Sequence, residues 1–195
     1  MINFLISIFH YKPIQLLTRL KLIFFGRRSI DFKSEVDFNK VQTKKFLATA
    51  LHSKKKDSAL NTIKALEENT IIYLNQFHAS SDNFFENKVF SKNDSLKKYE
   101  LSYLNCFSDL IFCENTEFFK SQIIKINRIY SDSQKIKFKH PFWYPYAVSS
   151  RLINISILVS HFKSSNLVSK ESLKICNNLF YDYSYLKKNI EFDSD

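Results

Sequence analysis

The sequence predicts an all-α fold, a helical array with at most one short strand. Three observations point there. The chain has 195 residues and a single glycine, Gly26, where average usage of about 7% would give on the order of 14. Apolar residues recur at three- and four-residue spacing along much of the chain. Asn and Ser stand where one segment gives way to the next, doing the turn work that glycine usually does. The glycine scarcity also excludes function classes. A G-x-G-x-x-G turn and a P-loop both need several glycines for close backbone approach to phosphate. The G-x-S-x-G nucleophile elbow is absent too. A β-sandwich or barrel on tight hairpins would need glycine at positive φ.

Each element follows in chain order. Leu16–Phe25 reads as a helix, with Gly26 in the position of a C-cap glycine. Its stripe of Ile14, Leu17, Leu20 and Phe24, with Arg19, Lys21, Arg27 and Arg28 nearby, suits docking on the rest of the chain better than lying on a membrane surface. Val41–Ala50 reads as a short helix. Ser58 is the expected N-cap of a helix carrying Leu60, Ile63 and Leu66. Thr70–Leu74 is β-branched and short, and reads as an isolated strand. His78–Asn93 reads as loop. From Ser95 a helix is expected with Leu101, Leu104, Phe107 and Ile111 on one stripe. Asn115 caps the next, which turns Phe119, Ile123, Ile126 and Tyr130 inward. Ser131–Lys139 reads as a Lys-rich loop. Pro141 and Pro145 hold an extended path through His140–Tyr146, since each restricts the residue before it. A helix follows with Val148, Leu152, Ile155, Val159 and Phe162 inward. Ser169 caps a last helix carrying Leu173, Cys176, Phe180, Tyr183, Leu186 and Ile190.

The net charge is +10. A polyanion partner is one reading of that balance. Lysine-rich drift on a solvated surface is the other, because the lysines are scattered. The tightest groups are Lys54–Lys56 and the Lys135–Lys139 stretch, and neither has the Arg density of nucleic-acid readout. No nucleic-acid partner is therefore expected. Cys106, Cys113 and Cys176 form no C-x-x-C pair and read as free thiols. His10, His52, His78, His140 and His161 are scattered, with no metal-ligand spacing, so neither a metal nor another cofactor is expected. No stretch approaches the ~20 apolar residues of a spanning helix. Ile2–Phe9 lacks the basic start and cleavage site of a signal peptide, which favours a cytoplasmic location.

The most informative segment is Trp143–Asn154, W-Y-P-Y-A-V-S-S-R-L-I-N. A Pro-braced aromatic loop feeds a helix that places Arg151 and Asn154 on one face. An Arg, an Asn and an aromatic platform suit a sugar acid, because a guanidinium pairs bidentately with a carboxylate. The competing reading makes Trp143 a core anchor, Arg151 a surface residue and Asn154 an ordinary polar helix position.

This segment resembles the W-x-P-Y-x-x-S-x-R-x-x-N-W signature in the N-terminal helical domain of heparinase II/III-like polysaccharide lyases. Further segments fall in that family's order. Tyr11–Arg19 is similar to its opening P-x-Q-x-x-x-R, and Ile71–Asn75 resembles its F-x-F-L-N strand. Tyr103–Leu110 is similar to its N-L-H-Y-F-D-Y-L helix, with Asn105 where the family has His and Cys106 where it has Tyr. Ser172–Glu191 resembles its helix ending Y-L-x-x-N-x-E, and Ile155 replaces the Trp that closes the signature.

The resemblance implies an incomplete α/α toroid spanning 1–195, and β-elimination on uronic-acid polysaccharides. It implies an acidic polysaccharide as partner, and a substrate surface made of His140, Trp143, Tyr146, Arg151, Asn154 and Asn105. The family's Gly-Asn-His motif and its proton-transferring Tyr and His would follow Asp195, so no catalytic residue is assigned within this chain. Nothing in the sequence marks Tyr144 or Tyr146 as the group that moves the proton. The expectation is a truncated or split product, without the catalytic part and the β-sandwich. Such a chain would be inactive alone and in need of a second chain to complete the toroid. The alternative is a non-enzymatic basic helical module that binds a polyanion or a partner protein.

Overall fold

A computed structural model describes residues 56–189 apart from 75, 92–93, 165–166 and 168. The expected helices at 16–25 and 41–50, the Gly26 cap and the 11–19 segment lie outside the described residues. The described part is mostly helical, with five α-helices and one two-stranded sheet.

Helix α1 spans Lys56–Glu67 and buries Ala59, Ile63, Ala65 and Leu66. Ser58, expected as the cap, lies inside the first turn, where its carbonyl accepts from the Thr62 hydroxyl at 3.2 Å. Leu60 faces outward. After α1 the chain reverses at Asn69, φ 56°. Asn tolerates the left-handed region better than most residues.

The reversal feeds β1 (Thr70–Tyr73), which pairs antiparallel with β2 (Phe77–Ser80) in the register Thr70↔Ser80 to Tyr73↔Phe77. The expectation of one isolated strand is thus corrected to a hairpin. The second strand, Phe-His-Ala-Ser, has no β-branched residue, and the turn uses Leu74 at φ 51° in place of an Asn-Gly pair. Neither feature leaves a sequence signal. The Asn87 side chain then clasps β2. Its amide donates to the Ser80 carbonyl at 2.9 Å, and its Oδ1 accepts from the Ser80 N–H at 2.9 Å.

The helix expected from Ser95 to Ile111 is two elements. Helix α2 covers Ser95–Ser102 and is capped by Asp94, which accepts from the Lys97 N–H. Leu104 then breaks it at φ 53°, and a 3-10 helix runs from Asn105 to Phe112. The physical reason is the spacing. Leu101, Leu104, Phe107 and Leu110 recur every three residues and are all buried. That period matches a 3-10 helix, in which i and i+3 eclipse.

Helix α3 spans Thr116–Ser133, with Asn115 at its N-cap as expected. It extends three residues, Ser131 to Ser133, into the stretch read as loop. Helix α4 spans Pro145–Ser164, with proline at its first position, where the missing N–H costs nothing. Helix α5 spans Lys170–Asn189. Ser169 caps it reciprocally: the Ser172 N–H donates to the Ser169 hydroxyl at 3.2 Å, and the Ser169 N–H donates to the Ser172 hydroxyl at 2.6 Å.

Helix α5 packs on both α3 and α4, and the 3-10 helix Asn105–Phe112 packs between α1 and α4. One apolar cluster joins them all. The inward face of α5 differs from the expected stripe. Ile175, Cys176, Asp182, Tyr185, Leu186 and Asn189 are buried, while Leu173, Phe180 and Tyr183 face outward. The helix is rotated because Asp182 has an interior partner, described next.

Candidate functional site

The Pro-aromatic loop builds the centre of the molecule. His140 caps the 3-10 turn Pro141–Trp143, its Nδ1 accepting from the Phe142 N–H at 3.2 Å. Phe142 and Trp143 are thereby turned into the core. The Trp143 Nε1–H donates to the Ser133 carbonyl at 3.1 Å, and the Tyr185 hydroxyl donates to the Trp143 carbonyl at 2.8 Å. The loop is thus pinned between the end of α3 and the end of α5.

Arg151, in the second turn of α4, is fully buried at 0% exposure. Its Nη2 donates to Asp182 Oδ1 at 2.7 Å and its Nε to Asp182 Oδ2 at 2.9 Å. Nη1 donates to the Phe142 carbonyl at 2.9 Å and, more weakly, to the Ser102 carbonyl at 3.4 Å. The guanidinium also lies over the Phe142 ring, 3.7 Å from its centroid. The Tyr130 hydroxyl donates to Asp182 Oδ2 at 2.6 Å. Desolvation pulls the Arg151 pKa down, but the Asp182 charge outweighs it and the guanidinium stays protonated, raised above its ordinary value. Burial and the Asp182 charge push the Tyr130 phenol well up.

This geometry corrects the reading of Arg151 and Trp143 as groups offered to a sugar acid. The bidentate carboxylate is the chain's own Asp182, and Trp143 is sealed in the core. Sequence reasoning missed Asp182 because it stands between apolar residues of α5, with nothing near it in the chain to mark a partner. The arrangement locks four pieces together: α3 through Tyr130, the aromatic loop through Phe142, α4 through Arg151 and α5 through Asp182.

The other predicted site residues sit apart from this lock. Tyr146 is 67% exposed at the start of α4. Its ring lies 5.6 Å from that of Tyr103, edge to face. Tyr99 and Tyr144 form a second pair at 5.5 Å. Burial, then Tyr146 and Glu100 beside it, push the Tyr103 phenol up to about 12. Burial raises the Glu100 carboxyl as well. Asn154 is half-buried, and its amide donates to the Tyr103 carbonyl at 3.0 Å. Asn105 is exposed at the start of the 3-10 helix. It lines a small cavity of about 100 Å³ together with Glu100 and Asp109. His140 lies elsewhere, against Phe85 and Phe90, with ring centroids 5.6 and 4.6 Å away. So the structure gathers Tyr146 and Asn154 around Tyr103, and leaves His140 apart from them.

Among the described residues no group of three or more His, Cys, Asp and Glu is placed to hold a metal ion. No helix of the described residues is long and apolar enough to cross a membrane. In comparisons with known proteins, no protein-family model matches the chain, and no curated protein and no solved structure matches it.

Proposed function

We propose that this chain is the substrate-groove portion of an α/α toroid of the heparinase II/III type, acting on uronic-acid polysaccharides and inactive by itself. The observation that carries the reading is the Trp143–Asn154 segment and the tyrosines it collects. Tyr99, Tyr103, Tyr144 and Tyr146 surround the start of α4, and aromatic faces are the usual platforms for sugar rings. Further support comes from the order of the other resembling segments along the chain. β-Elimination needs a base for the proton next to the uronate carboxylate, and a donor for the leaving oxygen. The resemblance assigns those roles to a segment that these 195 residues do not contain.

The net charge of +10 favours a second reading, a basic helical module for a polyanion or a partner protein. One set of titrations separates the two. Under the first reading the chain binds uronate polysaccharide and releases no ultraviolet-absorbing unsaturated uronate on its own, and Tyr146→Ala weakens that binding. Equal binding of inorganic polyphosphate, lost steeply with added salt, supports the second reading and overturns the first.

A further inference from the structure

The outer edge of β2 is paired with no further strand of the described residues. Which groups it presents follows from the register. The Ser81 N–H donates to the Asn69 carbonyl at 2.8 Å, one step before the Thr70↔Ser80 pair. Bonded and non-bonded pairs alternate in an antiparallel ladder. The bonds between the strands therefore fall at Asn69–Ser81, Ile71–Ala79 and Tyr73–Phe77. The N–H and C=O of His78 and Ser80 point the other way, along the outer edge. Asn87 covers the Ser80 half of that edge. Its Oδ1 accepts from the Ser80 N–H and its Nδ2 donates to the Ser80 carbonyl, both at 2.9 Å. The same Nδ2 donates to the Phe84 carbonyl at 2.7 Å, which fixes the side chain in place. His78 is exposed, and among the described residues no backbone group outside the hairpin bonds to it.

The Asn87 amide gives Ser80 the same donor and acceptor that the backbone of an added strand would give. We infer that Asn87 closes a docking edge, and that without it β2 pairs antiparallel with the β2 of a second copy of this chain. The occupant follows from the spacing. Two copies of β2 meeting about a two-fold axis at Ala79 set His78 of each against Ser80 of the other. Both pairs are of the bonded kind, because His78 and Ser80 both turn their N–H and C=O outward. The contact then carries four hydrogen bonds. Every one of the four uses a Ser80 group, so one clasp per copy blocks the whole contact. The edge opens onto a groove of about 600 Å³, which leaves room for an incoming strand. Lys88 lines that groove, and like charges on two copies oppose the same pairing. An unpaired strand edge is a template for association unless it is blunted. The device is independent of what the chain binds.

Two measurements test it. The first is amide hydrogen exchange by NMR on the parent chain. Relative to its intrinsic rate, the Ser80 N–H should exchange at least about tenfold more slowly than the His78 N–H. Equal protection means that the clasp does not hold, and the inference falls. The second is sedimentation of the full chain carrying Phe180→Ser and Tyr183→Ser, so that the outward stripe of α5 does not contribute. Raised salt screens Lys88. Adding Asn87→Ala is expected to tighten dimerisation at least about tenfold. Ser80→Pro on top of Asn87→Ala removes the outward N–H without touching a bond to β1, and should return the chain to monomer. Circular dichroism verifies the fold of each variant. If the folded Asn87→Ala chain sediments like its parent, or if its dimer survives Ser80→Pro, the inference is overturned. If Asn87→Ala does not fold, the exchange rates decide.

Discussion

At the scale of single residues the Arg151–Asp182 pair decides most. Both side chains are fully buried, so each would carry a large desolvation penalty without the other. Removing one partner leaves a charge stranded in the core. Asp182→Ala is therefore expected to lower stability by about 3–5 kcal/mol in urea denaturation. The double variant Arg151→Met with Asp182→Leu should recover most of that loss, because a packed apolar pair leaves no charge behind. If Asp182→Ala melts like the parent, the lock does not hold the fold. His140 gives a second prediction at this scale. Burial, with Lys98 nearby, lowers its pKa from 6.5 to about 4, and burial lowers His161 in the same direction. The unfolded chain takes up these protons below its ordinary value and the folded chain resists them. Stability is then complete above pH 6.5, falls as pH drops from 6.5 toward 4, and levels off below. Urea midpoints across that range should show the slope, and His140→Asn should flatten it. An unchanged slope in that variant would remove His140 as the cause.

Among the elements, helix ends were the most legible features and left-handed turns the least. Asn115 and Ser169 cap α3 and α5 where the sequence puts them, because a polar side chain just before an apolar period has few other uses. Asn115→Ala is expected to cost about 1 kcal/mol, since the Phe118 N–H loses its acceptor. The hairpin turn and the break after α2 were not legible. Both place a leucine at positive φ, Leu74 and Leu104. In a chain with one glycine, left-handed positions fall on whatever residue the packing supplies. Leu104 is held there because its side chain is buried between α1 and α4 with the rest of the 3-10 helix.

Across the whole molecule, α5 is apolar on two sides. One side builds the core, and the other leaves Leu173 at 41% and Tyr183 at 51% exposed, with Phe180 beside it. Such an exposed apolar stripe favours association. Sedimentation at rising concentration should show self-association or a captured partner, and Phe180→Ser with Tyr183→Ser should shift the chain toward monomer. A parent chain that stays monomeric throughout would overturn that expectation.

The sequence by itself determined the helical class, the caps of α3 and α5, the inward stripe of α4 and the importance of the Trp143–Asn154 segment. All of these are local. A period, a cap or a proline acts on neighbours within a turn or two. Only the tertiary structure decided which side of α5 faces in, what Arg151 pairs with, and that the strand at Thr70 has a partner. Those outcomes depend on residues 31 positions apart, as with Arg151 and Asp182, or on a turn with no signature. The same buried charge that looked like a ligand contact in the sequence is satisfied within the fold.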